Sequence, residues 1–125
     1  MGRHYEMPLA AQTSEARRAR THVRAQLGLW DLDGSEALVE RAELLVTELV
    51  ANAVRHGTMP EALRLTFDGA LTIEVTDANP HPPRPRHAAW DDDGGRGLEL
   101  VELMSDKWGW EPRPTGKNVW AQLWP

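Results

Sequence analysis

The chain has 125 residues, 41% of them hydrophobic and 26% charged, with a formal net charge of −5. That is the composition of one soluble globular domain, too short for two cores and without the run of about 18 apolar residues that a membrane span needs. The absence of cysteine excludes disulfides and thiolate metal sites and is compatible with the cytoplasm, and the acidic balance argues against a nucleic-acid partner.

Residues 1–12 read as a lead-in or a short edge strand around Tyr5 to Leu9, and 13–125 as the domain proper. The N-terminus lacks the apolar segment of a secretory signal. A first helix is expected from Ser14 to Leu27, capped by Thr13-Ser14 and stopped at Gly28. It carries Arg17, Arg18, Arg20 and Arg24, which read as a solvated face or, for one of them, a guanidinium fork able to reach a phosphate. Asp33-Gly34-Ser35-Glu36 resembles a capping box with Asp33 as the cap. The long helix it launches runs to His56, with Gly57 suited to a left-handed stop.

The apolar residues Leu45, Leu49, Val50 and Ala53 of that helix mark a buried stripe. Glu48 and Asn52 interrupt it. They stand four residues apart, so both point the same way beside the stripe. The pair reads either as a satisfied polar edge or as a carboxylate and an amide that position a water and a hard cation.

Two strands follow. Leu63, Leu65 and Phe67 alternate with polar residues, as do Leu71, Ile73 and Val75, and Asp68-Gly69 between them is a hairpin turn. The second strand ends at Asp77. Four prolines from Pro80 to Pro85 then forbid regular structure. Gly94-Gly95-Arg96-Gly97 leads into a helix expected from about Leu98, where exposed amides and a positive dipole suit phosphate. Lys107 to Glu111 and Asn118 to Trp124 form a second hairpin, with Trp108, Trp110 and Trp120 assigned to the core. Two helix-then-hairpin blocks without βαβ alternation imply an α+β two-layer sandwich.

In that order and at those spacings the motifs resemble the GHKL (Bergerat-fold) ATP-binding domains, and among them the short anti-sigma-factor serine/threonine kinase branch of actinobacteria. The resemblance runs from about Ser14 to Trp124. Glu48 to Gly57 is similar to the family's N box, Asp77 stands at its G1 aspartate, and Gly95-Arg96-Gly97 matches the G2 box. Gly116-Lys117-Asn118-Val119-Trp120 matches the closing strand. The G1 glycines are missing: Asp77-Ala78-Asn79-Pro80-His81 stands in their place.

The resemblance implies a histidine-kinase-like ATPase fold, a mixed but mostly antiparallel sheet of 4–5 strands covered on one face by about three helices. It implies ATP and Mg²⁺ as ligands, with Asn52 on the metal, Glu48 as catalytic base and Asp77 accepting the adenine amino group. Asn79, Gly95, Arg96, Gly97, Leu98, Asn118 and, in the first helix, Arg20 complete the nucleotide site, and residues 79–93 form a lid. The implied partners are a sigma factor and a STAS-domain antagonist phosphorylated on serine, with a homodimer open, in a cytoplasmic protein. Two other readings stay open: an ATP-binding module that switches partner binding without phosphoryl transfer, and a structural protein with a relic site.

Overall fold

A computed structural model describes residues 2–55, 60–83 and 95–125, with the side chains of 95–97 not included. Three helices and five strands form among these residues: β1 Arg3–Pro8, α1 Glu15–Leu29, α2 Glu36–Arg55, β2 Pro60–Phe67, β3 Leu71–Asp77, α3 Gly95–Met104, β4 Lys107–Arg113 and β5 Gly116–Leu123. The strands make one sheet in the order β1-β2-β3-β5-β4. Every pairing is antiparallel. Leu63, Leu65, Ile73, Val75, Ala121 and Leu123 project from one face of the sheet into a core shared with the helices. No helix among the described residues is long and apolar enough to cross a membrane.

The first helix begins and ends differently from expectation. Ser14 makes no side-chain cap. Instead Glu15, fully buried, accepts a hydrogen bond from the Ala10 amide at 2.6 Å and two from the Arg18 guanidinium at 2.7 and 2.9 Å. Arg18 also donates to the Pro8 carbonyl at 2.9 Å, so this pair staples β1 to α1. At the other end the helix runs through Gly28, and Asp31 takes the left-handed position with φ 58°. Leu32 N–H then closes onto the Leu27 carbonyl at 2.9 Å and Asp31 N–H onto Gly28 at 3.1 Å. That double closure satisfies the last carbonyls and packs Leu32 on the core, which a stop at Gly28 would leave undone.

In α2 the cap is Ser35, whose Oγ accepts the Leu38 amide at 3.2 Å, and not Asp33. The expected stop at His56-Gly57 and the stretch from Arg84 to Gly94 lie outside the described residues. The hairpins hold: β2 and β3 turn through Gly69 at φ 80°, and β4 and β5 through Pro114-Thr115. Of the three tryptophans assigned to the core, Trp108 packs against it, while Trp110 is 37% exposed at the sheet edge. Trp120 alternates with core residues Val119 and Ala121, so it lies on the other face, over Gly109.

Matched lengths set the site. Arg41 of α2 donates to the Met104 carbonyl at the end of α3, and the Asp106 amide donates to Gln122 of β5. From that shared level, Arg41 to Asn52 rises about 17 Å, Met104 to Gly95 about 14 Å and Gln122 to Lys117 about 17 Å. The C-terminal half of α2, the start of α3 and the Asp77–Lys117 end of the sheet therefore extend toward the same end of the domain.

Candidate functional site

Asn52 continues the buried stripe of α2 one turn past Leu49, in a place where periodicity calls for an apolar residue. It is 7% exposed, and its Oδ1 has no hydrogen-bond partner among the described residues. An unpaired buried amide oxygen costs about 1–3 kcal/mol, and such a group persists where a ligand completes it. Glu48, one turn earlier, is half-buried. A carboxylate and an orphan amide oxygen thus stand on one helix at neighbouring turns.

Asp77 ends β3 almost wholly buried, at 2% exposure. Its Oδ1 accepts the Asn79 amide at 2.8 Å, and the Asn79 side chain in turn accepts the His81 amide at 2.9 Å. Two successive aspartate- and asparagine-turns thereby shape the loop that lacks the family glycines. Gly116 makes this possible from the next strand: a Cβ there would lie 1.9 Å from the Asp77 carbonyl oxygen, and its φ is 151°. Only a glycine lets β5 come so close.

The Asp77 carboxylate also receives Lys117, its cross-strand neighbour, with Nζ 3.0 Å from Oδ1. Nζ further donates to the Asn79 carbonyl at 3.2 Å. Lys117 is 4% exposed, so the pair is buried. Sequence reasoning missed it. The signal was present: Lys117 falls in phase with Val119, Ala121 and Leu123, a lysine on the apolar parity of its strand.

Asn118 is in the opposite phase. It pairs with Thr76, on the sheet face away from the helices, where its buried Oδ1 also lacks a partner among the described residues. Lys117, not Asn118, is the β5 side chain beside Asp77. Arg20 lies on the flank of α2, with contacts at 3.5 Å to Thr47 and 4.0 Å to Glu43. Gly95, Arg96 and Gly97 form the first turn of α3, and Leu98 behind them is buried. A cavity of about 220 Å³ opens elsewhere, between Thr13 and Ala16 of the α1 entry and Ala51, Val54 and Arg55 of α2, and none of the expected site residues lines it.

The helix-borne Glu and Asn, the strand-end Asp and the glycine turn that opens a helix agree with a match over residues 9–123 to the family model of the histidine kinase-like ATPase domain. The chain belongs to that family. SCO4941, an uncharacterised protein of Streptomyces coelicolor, is 35% identical over a stretch covering 59% of this chain and 76% of that protein. The crystal structure of the RsbU and RsbW domains of Rv1364c from Mycobacterium tuberculosis matches 97% of this chain with a TM-score of 0.71 at 17% identity. This histidine kinase-like ATPase domain spans 32% of that longer chain. The likeness shows a shared fold.

Proposed function

We propose that the chain is a Mg²⁺-ATP-binding regulator of the anti-sigma-factor serine/threonine kinase type, which phosphorylates a STAS-domain antagonist and controls a sigma factor in the cytoplasm. The observation that carries this is Asn52: a buried amide oxygen without a partner among the described residues, one turn from Glu48, in a family of ATPase domains. Its chemistry fits a hard cation, since Mg²⁺ takes oxygen ligands and shares them with phosphate. Mg²⁺ bound there would neutralise charge on the phosphates.

This chain's own residues then divide the work. Glu48 takes the proton from the attacking serine hydroxyl. The backbone amides of Gly95 and Gly97 at the start of α3, with the charge of Arg96 and Arg20, hold phosphate oxygens. Asp77 and Asn79 stand at the base end, and Leu98 backs the first turn of α3. Phosphoryl transfer is mainly positioning and charge stabilisation, so this sparse set suffices. The fold shared with part of the RsbU and RsbW structure of Rv1364c is compatible with the reading.

A second reading is favoured by the loop after Asp77. Its asparagine turns and the Lys117 ion pair replace glycines, which suits a module that binds nucleotide and switches partners without transfer. Incubation with γ-labelled ATP and a STAS partner separates the two. Labelled serine in the partner, lost in Glu48→Ala, is the expected result. Binding of Mg²⁺-ATP with no labelled partner would leave the switch, and no binding at millimolar nucleotide would leave neither.

A further inference from the structure

The buried pair of Lys117 and Asp77 changes what the base end of the site can read. The two residues face each other across β5 and β3 on the side of the sheet that carries the helices. Two of the three ammonium N–H groups have described acceptors, Asp77 Oδ1 at 3.0 Å and the Asn79 carbonyl at 3.2 Å. All described contacts of the carboxylate fall on Oδ1. Among the described contacts, one N–H donor of Lys117 and one oxygen of the Asp77 carboxylate, Oδ2, are left without a partner within this donor–acceptor pair.

A lone carboxylate is only an acceptor. It accepts from the 6-amino group of adenine and repels the 6-oxygen of a keto purine, which is how a single aspartate selects ATP. An acceptor next to a donor is different. Adenine offers an amino donor and the N1 acceptor along one edge, and hypoxanthine offers the 6-oxygen acceptor and the N1–H donor along the same edge. The pair satisfies either base by exchanging which atom meets Oδ2 and which meets Nζ. We infer that Lys117 is a base-reading residue that opens this site to 6-keto purine nucleotides as well as to ATP. The inference rests on the reading of Asp77 as the residue at the base end of the nucleotide site.

The opposing idea is that Lys117 only stitches the ends of β3 and β5 and holds the Asp77–Asn79 turn. A stitch affects every nucleotide alike, so base selectivity separates the two. Calorimetric titration of the full chain with Mg²⁺-ATP and with Mg²⁺-ITP, which differ at the 6-position, is the test. Wild type should bind the two within tenfold of each other. In Lys117→Met, which keeps the stem and removes the donor, ITP should weaken at least tenfold more than ATP. A wild-type preference for ATP above tenfold overturns the inference without any variant having to fold. So does an unchanged ratio in Lys117→Met. Failure of both nucleotides to bind wild type overturns the site itself, and is distinct from binding with strict adenine preference.

Discussion

At the level of single residues, the site is built from groups that the fold alone would not choose. Asn52 occupies a core position with an unsatisfied oxygen, so the free protein is less stable than an apolar residue would make it. Asn52→Leu should therefore raise the unfolding free energy by about 1 kcal/mol while abolishing Mg²⁺-ATP binding, the trade expected of a functional site. Asn52→Ala separates metal from nucleotide: it should weaken Mg²⁺-ATP more than metal-free ATP, and equal losses in calorimetry would sink the metal role. Glu15 is the reverse case, a charge whose partners are complete. Hydrogen bonds from Arg18, and one from the Ala10 amide, outweigh burial and lower its pKa from 4.5 to about 2. A lowered folded-state pKa stabilises the fold above the unfolded value, and that stabilisation is lost as pH falls from about 4.5 toward 2. The shift corresponds to at most about 3–4 kcal/mol. Because the Arg18 side chain is 44% exposed, solvent screening reduces this to about 1–2 kcal/mol. Chemical denaturation of wild type and Glu15→Gln across that window should show the gap between them closing as the pH drops.

At the level of elements, the patterns of period 3.6 and period 2 disclosed which segments become helices and strands, because the core reads each segment locally. Leu63 to Phe67 and Leu71 to Val75 alternate as a half-buried hairpin must, and Asp68-Gly69 supplies its turn. Element ends were less legible. Gly28 invites a stop, but burying Leu32 favours closing the helix at Asp31 instead, a tertiary preference that no local signal carries. Since Asp31 holds a left-handed φ that glycine adopts freely, Asp31→Gly should stabilise the protein by about 0.5–1 kcal/mol in thermal or urea unfolding. Gly116 is the opposite: a methyl group would collide with the Asp77 carbonyl. Gly116→Ala should cost at least about 2 kcal/mol and displace the Asp77–Asn79 turn, seen as amide shift changes confined to β3, β5 and that loop. Unchanged stability would mean that the strands do not approach so closely.

For the whole molecule, the candidate residues converge through lengths rather than through sequence proximity. Glu48 and Asn52 could be read from one helix, and Asp77 from a strand end. The parity of Lys117 on β5 signalled a lysine on the buried face, but its partner could not be read, because that depends on the β3–β5 register, which a connection through α3 and β4 sets from a distance. The same construction has a thermodynamic consequence. The proposed site takes residues from α2, β3, α3 and β5, elements that are assembled only in the folded domain, so a ligand there would bind the native state and not the unfolded chain. Mg²⁺-ATP at a hundred times its Kd should then add about 2.7 kcal/mol to stability. For a domain of this size that is a rise in Tm of about 10 °C. The rise should grow with the logarithm of nucleotide concentration and shrink in Asn52→Ala, while Glu48→Ala, which removes the base and leaves the binding groups, should retain it. A thermal scan with and without Mg²⁺-ATP on the three proteins measures this. Loss of the rise in Glu48→Ala would make Glu48 a binding residue, and its absence from wild type at saturating nucleotide would refute the four-element site.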